Sequence, residues 1–550
     1  MRTEIEMEHT PRHHPANQHR RHWGAGVATV VLVASALTAA FTHAWADDTQ
    51  DTNSRDPVVH TDKGKIRGTQ SHGVARYEGV PYAAAPVDDL SWRSPQAHTA
   101  WSGVRDATAP ASACPQLDGD QGGVPSTDED CLYLNVTAPA DTRDDAKDGA
   151  LPVIVFTHGG GNYGAGHQYN ADAFAERGDA VVVTVNYRLG AFGFLAHPSL
   201  DDGSDNGSGN LGLEDQQAAL EWVQRNASGF GGDADNVTLM GESSGGWSAC
   251  ANLASPQAQG LFHKVILQSA PCMGMETHTR DEAEASGTEL LRKLDCDTGK
   301  AAQCLRDKPV AEVLDKFGPL PNSLPVAGDG LLPLDPAEAI ETGDFNRVPV
   351  LQGINRHEQR LIVGGAESLG GAPITPQQYP AKLAESFGEE LAHSVEKQYP
   401  LRDYDSPSEA LAAAQTDHEY AAPAVDTFEA LSQHVPTHAF EFADAKAPWF
   451  RAYDTPSFPT GAYHMAELNY LFDVDLYEPK SKAQHKLGAR MMDAWASFAH
   501  DSAPDAHAPG TWPRYGDGKY VQSLAPGAGG IGPVDFAAEH NYAFWNEISS

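Results

Sequence analysis

The sequence predicts an α/β fold in which a large, mostly parallel central sheet is covered by helices. Two continuous apolar runs, at residues 151–157 and 180–185, are rich in β-branched residues, and a helix-like segment at 170–176 separates them. Strands that are buried on both faces lose the alternation of apolar and polar residues, and their alternation with helices indicates parallel pairing. A third stretch, residues 237–246, passes from a β-branched run through glycines into a helix-like segment.

The N-terminal residues 1–46 are predicted to be a signal peptide. Basic residues precede an apolar run at 25–41, and Ala44, Trp45 and Ala46 form an A-x-A cleavage signature. A retained membrane anchor is the alternative, but the run is short and ends in the cleavage motif. We therefore expect cleavage after Ala46, secretion and no stable membrane anchor, while the export route stays open.

The rest of the chain continues the alternation of strands and helices, with no internal repeat and no extended linker, so one domain over residues 47–550 is predicted. The segment at 374–432 is helical and alanine-rich, and it contains no chemical motif. Apart from that segment, the expected elements are a strand–turn–strand at 58–69, strands at 133–137, 264–268 and 348–352, and helices at 213–230 and 486–498.

Residues 241–245, Gly-Glu-Ser-Ser-Gly, have the G-x-S-x-G pattern of a nucleophile elbow. Small residues on either side allow a tight turn from strand to helix, which holds the central serine in a strained conformation. The helix that follows would begin beneath an oxyanion formed by attack of this serine. Ser243 is therefore the candidate nucleophile, although the pattern alone also fits a glycine-rich turn.

Residues 158–161, His-Gly-Gly-Gly, follow a buried strand and expose backbone N–H groups without obstruction by side chains, as an oxyanion hole requires. The same stretch, residues 159–164, also fits the dinucleotide-binding pattern G-x-G-x-x-G. That interpretation needs an acidic residue at the end of the next strand, but this strand leads into Asn186, Tyr187 and Arg188. The nucleotide hypothesis is therefore disfavoured.

A serine nucleophile needs a histidine base and a carboxylate that orients the histidine. In hydrolases with this elbow, the acid and then the histidine follow the serine along the chain. The stretch 353–358, which ends in Glu358, follows a buried strand, and the stretch 461–464 ends in His464 within a turn. Because the chain has 24 His and 75 acidic residues, composition alone does not select these two.

Composition excludes several classes of protein. A hydrophobic fraction of 41% over 550 residues supports a large core, and a net charge of −37 disfavours binding to nucleic acid or to anionic lipid. No cluster of His, Cys and Asp has the spacing of metal ligands, so neither a metal nor a cofactor is predicted. The oligomeric state is not predicted.

Six cysteines in an exported protein predict three disulfides, although six permit fifteen pairings. Two pairs are close enough in sequence to close surface loops, whereas the third pair is either a bridge or two buried thiols. In that order the pairs are Cys114 with Cys131, Cys296 with Cys304, and Cys250 with Cys272.

Several motifs in order make the chain resemble the type-B carboxylesterase family, which also contains the cholinesterases, from about residue 58 to residue 545. The motifs that carry the resemblance lie at residues 129–135, 158–161, 186–190, 241–245, 353–358 and 461–464. The resemblance implies an α/β-hydrolase fold, the disulfides Cys114–Cys131 and Cys296–Cys304, and buried ion pairs of Arg188 with Asp215 and of Arg93 with Glu129.

The resemblance also implies roles for the site residues. Ser243 would be the nucleophile, His464 the general base and acid, and Glu358 the carboxylate that orients the histidine. The oxyanion hole would consist of the N–H groups of Gly160, Gly161 and Ser244.

The chain departs from the family pattern in three places. His357 and Gln359 flank Glu358 where the family has Asp and Gly, and Asn162 stands where an aromatic residue is common. The loop between Cys114 and Cys131 contains no Trp, Tyr or Phe, so that loop offers no cation–π site and choline esters are not expected as special substrates.

The predicted function is hydrolysis of carboxylic esters, with a small-molecule ester as substrate, by a Ser-His-Glu triad through an acyl-enzyme. One alternative is a catalytically silent binding or adhesion protein on the same fold. The other is a hydrolase that prefers lipids, amides or carbamates, because fold alone does not choose between these substrates.

Overall fold

A large central sheet organises the protein. The computed structural model describes residues 56–117, 123–140, 150–161, 163–201, 203, 205–297, 299–318, 323–504, 512–516 and 518–549. The predicted signal peptide, residues 1–46, and Asn162 lie outside the described residues. Residues 55–550 cluster into one compact unit.

The strands are β1 (Val58–His60), β2 (Lys65–Arg67), β3 (Thr69–Ser71), β4 (Val74–Pro81), β5 (Val104–Asp106), β6 (Tyr133–Pro139), β7 (Leu151–Thr157), β8 (Val181–Val185), β9 (Gly232–Glu242), β10 (Lys264–Gln268), β11 (His278–Thr279), β12 (Val326–Ala327), β13 (Val350–Asn355), β14 (Thr437–Phe442), β15 (Val521–Leu524) and β16 (Ile531–Val534). The helices are α1 (Asp172–Gly178), α2 (Gly190–Phe194), α3 (Leu211–Asn226), α4 (Ser244–Ala254), α5 (Arg280–Lys293), α6 (Ala301–Arg306), α7 (Val310–Phe317), α8 (Pro336–Thr342), α9 (Arg360–Ser368), α10 (Tyr379–Gln398), α11 (Pro407–Thr416), α12 (Ala422–Ser432), α13 (Leu468–Leu471), α14 (Lys482–Asp501), α15 (Phe536–Glu539) and α16 (Tyr542–Ser549).

The central sheet has the strand order β16-β15-β14-β13-β10-β9-β7-β8-β6-β4-β3. Neighbouring strands are parallel from β15 to β8, and antiparallel strands extend the sheet at both edges. The prediction of a mostly parallel sheet is therefore confirmed. Because β9 and β13 run in the same direction, the residues that follow them lie at the same edge, where ligands bind in open α/β sheets.

The middle strands are apolar throughout because both faces of the sheet are covered. All seven residues of β7 are buried, and consecutive residues point into two different cores. Val153 and Val155 pack with α3, α4 and α8 on one face, whereas Ile154 and Phe156 pack with α1 and α14 on the other. The continuous apolar run in the sequence thus reflects a strand with helices on both sides.

The predicted elements agree closely with the observed ones in the core. The predicted strand at 264–268 has the bounds of β10, and the predicted strand–turn–strand at 58–69 is the antiparallel pair β1 and β2. The region 374–432 is helical as expected and contains α10, α11 and α12. Between α11 and α12, however, residues Asp417–Ala421 form one turn of π-helix, which the sequence did not predict.

One of the two expected ion pairs is present. The guanidinium of Arg188 donates to both carboxylate oxygens of Asp215 at 2.7 Å, and both side chains are buried. The expected pair of Arg93 with Glu129 is wrong, since no ion pair joins them among the described residues. The backbone carbonyl of Arg93 instead accepts a hydrogen bond from Arg188, and Glu129 accepts one from Ser91.

Three disulfides connect the six cysteines in the pairs considered above, including Cys250 with Cys272. Cys250 lies on α4, the helix that begins beside Ser243, and Cys272 lies in the turn after β10. Both residues are fully buried. This bridge therefore connects the helix of the elbow to a neighbouring loop inside the core.

Replacing Cys250 and Cys272 together with Ala is expected to lower the free energy of unfolding by about 3 kcal/mol, because an unlinked unfolded chain gains loop entropy. Chemical unfolding followed by tryptophan fluorescence measures this change. The matched control is the double replacement of Cys296 and Cys304 with Ala. Their disulfide closes a loop of sequence separation 8 rather than 22, so its loss should lower the free energy of unfolding by less. A larger loss in the control than in the first variant would contradict this ranking.

The described residues contain neither a membrane-spanning helix nor a cluster of metal ligands. No helix in these ranges is both long and apolar enough to cross a membrane. In the same part of the chain, no group of three or more His, Cys, Asp or Glu side chains could hold a metal ion.

Candidate active site

Ser243 stands in a sharp turn between β9 and α4. Its backbone has φ 53° and ψ −126°, a left-handed region that residues other than glycine rarely occupy. The flanking glycines are required for space, since a Cβ on Gly241 would lie 2.3 Å from the carbonyl oxygen of Gly245. A Cβ on Gly245 would lie 2.2 Å from the carbonyl oxygen of Thr157. The strand, the turn and the helix are thus packed too closely for any larger residue, and Ser243 is held at the tip.

Glu358 and His464 are in direct contact. The Nδ1–H of His464 donates to Oε2 of Glu358 at 2.7 Å, and the other carboxylate oxygen accepts from the backbone N–H of Asn355 at 2.7 Å. Glu358 has no exposed surface, and His464 is 7% exposed. The carboxylate therefore fixes the imidazole with Nε2 as the nitrogen that remains for another partner.

The residues that flank Glu358 connect its loop to two other parts of the site. The Nδ1 of His357 accepts from the backbone N–H of Ala462 at 3.1 Å, close to His464. Burial and the nearby cations Arg360 and Arg356 lower the pKa of His357 well below its usual value, so its imidazole is neutral and can accept. The Nε2 of Gln359 donates to Glu419 in the π-helix. The departures from the family pattern at 357 and 359 thus have structural roles here.

The Nε2 of His464 lies 3.4 Å from Oε1 of Glu242. Among the hydrogen bonds of the described residues, none joins the hydroxyl of Ser243 to His464. The elbow and the histidine are nevertheless adjacent, since Glu242 immediately precedes Ser243. Hydrogen bonds between a nucleophile and its base are often long in free enzymes and shorten only when substrate binds.

Three buried carboxylates surround His464 and set its protonation. Burial alone would lower the pKa of this histidine, but the negative charges of Glu242 and Glu358, with a smaller effect from Glu467, outweigh it and raise the pKa to about 9. Burial raises the pKa of Glu467 to about 7. His464 therefore holds a proton more tightly than an isolated histidine.

The glycine loop at 158–161 passes directly over the elbow. A Cβ on Gly159 would lie 2.9 Å from Cβ of Ser243, and Gly160 and Gly161 have φ of 96° and 65°. The N–H of Gly161 donates to Oγ of Ser244 at 2.8 Å. The structure thus brings Gly161 and Ser244 together beside Ser243, with Gly160 next to them in the loop.

A cavity of about 520 Å³ opens next to these groups. Gly161 and Ser244 form part of its wall, and many of the other lining residues are aromatic or aliphatic. The ring of Tyr420 lies 5.4 Å from that of His464 and also stacks on Trp247 at 6.3 Å, which places His464 beside the cavity. The lining includes two carboxylates, Glu276 and Glu419, and neither Lys nor Arg.

Several residues of this site were missed in the sequence. His418, Glu419 and Tyr420 belong to the π-helix inside the alanine-rich region that showed no motif. A single turn of π-helix leaves no periodic signal, and such turns occur frequently at functional sites. Glu467 lies only three residues after His464, and its carboxylate accepts from Asn355 and from Gln268.

The arrangement can support attack by a hydroxyl on a carbonyl carbon. It contains a serine on a strained turn, a histidine oriented by a buried carboxylate, and backbone N–H groups beside the serine. These are the parts that acyl transfer requires.

Comparisons with known proteins identify the chain. Residues 55–545 match the model of the carboxylesterase family. The chain is 34% identical over 487 residues to the para-nitrobenzyl esterase of Bacillus subtilis (strain 168), covering 83% of this chain and 92% of that protein. It is 35% identical over 486 residues to the fumonisin B1 esterase of Sphingopyxis macrogoltabida, covering 83% and 84%.

Solved structures give the same result. A PNB esterase superimposes with a TM-score of 0.73 at 31% identity, covering 89% of this chain and 100% of that one. A thermophilic PNB esterase superimposes with a TM-score of 0.74 at 30% identity and the same coverage. The chain therefore belongs to the carboxylesterase family and is a serine carboxylesterase with the α/β-hydrolase fold.

Proposed function

We propose that this protein hydrolyses carboxylic esters with Ser243, His464 and Glu358 as its triad. The observation that carries the proposal is the 2.7 Å hydrogen bond between His464 and buried Glu358, next to a serine held at positive φ. Nε2 of His464 takes the proton of Ser243 as the hydroxyl attacks the ester carbonyl. The same proton is then given to the leaving alcohol, and water repeats the sequence on the acyl-enzyme to release the acid.

The negative oxygen of the tetrahedral intermediate would accept hydrogen bonds from the N–H groups of Gly160, Gly161 and Ser244. Ser244 is the first residue of α4, so its N–H is among the unpaired donors of a helix N-terminus. Donors fixed in place before the reaction stabilise the developing charge at no cost of reorganisation. The proximity of Gly161 and Ser244 to the elbow supports this assignment.

The cavity supports uncharged esters of small organic molecules as substrates. Tyr187, Phe194, Trp247 and Tyr420 provide apolar surface. Burial raises the pKa of Glu419 to about 7, so above that pH both wall carboxylates would repel an anionic acyl group or alcohol. The similar proteins include a para-nitrobenzyl esterase and a cocaine esterase, and we propose that this chain also takes esters with a bulky organic group.

A panel of nitrophenyl esters tests the proposed function. The panel varies the acyl length and includes a hemisuccinate, whose acyl chain ends in a carboxylate, beside a neutral ester of equal length. We expect turnover of the neutral esters, a lower kcat/KM for the hemisuccinate, and no turnover above background by Ser243→Ala. Equal turnover of the panel by Ser243→Ala would refute the proposal.

The pH dependence of the rate is expected to change when Glu242 is replaced with Gln. The base form of His464 exists above its pKa, so kcat/KM of the wild type should rise with pH toward about 9. Because Gln carries no charge, Glu242→Gln removes one of the influences that raise this pKa. The rising limb should then move to lower pH by roughly one unit.

A pH profile of kcat/KM from the two proteins measures this shift. Glu467→Gln is the matched control, since Glu467 has a smaller effect on His464 and should move the limb less. If the rising part of the kcat/KM profile stays at the same pH in Glu242→Gln, Glu242 does not raise the pKa of His464.

We also propose that residues 1–46 are a signal peptide, that cleavage after Ala46 releases a secreted enzyme, and that its single domain begins at Asp47. The basic N-terminal segment, the apolar run and the Ala44-Trp45-Ala46 signature support this proposal. Intact-mass analysis of the protein exported by its host tests it, and a mature chain that retains residues 25–41 would contradict it.

A further inference from the structure

The hydroxyl of Ser244 accepts a hydrogen bond from a backbone N–H that the proposed oxyanion hole needs. The N–H of Gly161, assigned above to the oxyanion hole, donates to Oγ of Ser244 at 2.8 Å. Both residues line the cavity beside Ser243. In the free enzyme this donor is therefore already engaged with a neutral acceptor from the protein itself.

Tyr187 holds the other end of the glycine loop. Tyr187 lines the same cavity, and its phenol donates to the backbone carbonyl of His158 at 2.6 Å. The rings of Tyr187 and His158 stack at 4.7 Å. The hydrogen bonds of Ser244 with Gly161 and of Tyr187 with His158 thus hold the two ends of the glycine loop.

Displacing Ser244 from Gly161 has a different cost for a neutral and for a charged oxygen. A substrate carbonyl that took this N–H would leave Oγ of Ser244 without its donor inside the site, which offsets the gain of one neutral hydrogen bond. A tetrahedral oxyanion forms a charge-assisted hydrogen bond of roughly twice the strength. Only the charged oxygen therefore gains substantially from the exchange.

We propose that the Ser244 hydroxyl is a resting acceptor for the Gly161 N–H, which the oxyanion displaces but the neutral carbonyl does not. Ser244 is in this respect a positioning residue that acts through Gly161. An interaction made only in the transition state raises kcat, whereas one made equally in the ground state only lowers KM. This inference rests on the proposed function, because it requires an oxyanion formed by attack of Ser243.

Ser244→Ala is expected to let the ground-state carbonyl use the freed N–H. A water molecule would then be the resting acceptor, and on displacement it returns to bulk solvent with its hydrogen bonds restored. KM and kcat should both fall by roughly three- to tenfold, while kcat/KM changes by less than about threefold. A residue that only held the loop in place would lower kcat without lowering KM.

The deciding experiment compares two inhibitors that share one alkyl group. A trifluoromethyl ketone forms a hemiketal oxyanion with the nucleophile, and the matched methyl ketone binds as a neutral carbonyl. In Ser244→Ala we expect the methyl ketone to bind roughly three- to tenfold more tightly than in the wild type, and the affinity for the trifluoromethyl ketone to change less. The ratio by which the enzyme prefers the trifluoromethyl ketone over the methyl ketone should therefore fall. Ser244→Thr, which keeps the hydroxyl, should keep the wild-type preference.

Two outcomes overturn the inference: an unchanged preference in Ser244→Ala, or equal weakening of both ketones. Ser243→Ala separates this failure from failure of the proposed function, because a trifluoromethyl ketone that binds Ser243→Ala as tightly as wild type would refute the nucleophile itself. If Ser244→Ala does not fold, crystal structures of the wild type with each ketone decide. With the methyl ketone bound, the hydrogen bond from Gly161 to Ser244 should persist. With the trifluoromethyl ketone bound, the N–H of Gly161 should donate to the hemiketal oxyanion instead, and any other pattern contradicts the inference.

Discussion

Replacing Ser243 with Ala is expected to lower kcat about a million-fold, which is the largest effect of any single substitution in this enzyme. The hydroxyl is the atom that bonds to the acyl group, and no neighbouring side chain can take its place at the tip of the elbow. The cavity and the glycine loop stay intact, so KM should change little. Steady-state hydrolysis of a nitrophenyl ester measures both constants.

Two controls accompany this measurement. Thermal unfolding of Ser243→Ala should match or exceed that of the wild type, because the substitution removes one hydroxyl from a half-buried position. Ser228→Ala, at an exposed position in the turn after α3, controls for the exchange of Ser for Ala elsewhere. A folded Ser243→Ala protein with kcat near that of the wild type would show that another residue is the nucleophile.

Glu358→Gln is expected to lower kcat about ten-thousand-fold with the fold retained, the second largest effect. One carboxylate oxygen accepts from the backbone of Asn355 and the other from Nδ1–H of His464, each at 2.7 Å. Gln has only one acceptor oxygen, and the rigid N–H of Asn355 would take it. The amide NH2 would then face Nδ1 of His464 and move the imidazole proton to Nε2, where a base must be free.

The control for Glu358→Gln is Glu242→Gln. Glu242 is equally buried and also lies beside His464, but it faces Nε2 at 3.4 Å rather than Nδ1. It should therefore shift the pH profile and leave most of kcat at its optimum. If Glu358→Gln retained most of kcat, a different carboxylate would be orienting His464.

The core of the fold could be predicted from the sequence because strands that are buried on both faces consist mainly of apolar residues. The β7 and β10 segments are apolar on both faces, and their bounds agree with the structure. The elbow motif could be recognised in the sequence, although its pattern alone also fits a glycine-rich turn. In the structure, the space around Gly241 and Gly245 excludes a side chain at either position.

The site could be predicted only where local motifs carry it. Glu358 and His464 are 106 residues apart, and their contact depends on β13 and the turn at 461–464 meeting at one edge of the sheet. Tyr420 and Glu419 face the cavity because one helical turn is wound as a π-helix, which composition does not reveal. The Gly161–Ser244 hydrogen bond depends on the path of the glycine loop over the elbow, a feature of tertiary packing.

The expected pair of Arg93 with Glu129 failed for a related reason. Arg93 contributes its backbone carbonyl to this region, where it accepts from Arg188, and Arg188 itself pairs with Asp215. Glu129 is only partly buried, and the hydroxyl of Ser91 satisfies one of its oxygens. Ion-pair partners depend on side-chain paths that sequence separation does not determine.

Covalent labelling identifies the nucleophile directly. The enzyme is treated with a fluorophosphonate, which reacts with serines activated by a histidine base, and the labelled peptides are identified by mass spectrometry while residual esterase activity is followed. We expect one phosphonyl group per chain, located on Ser243, with activity lost in proportion to labelling and with no labelling of Ser243→Ala. An adduct on any other residue that accompanies the loss of activity would contradict the assignment of Ser243 as the nucleophile.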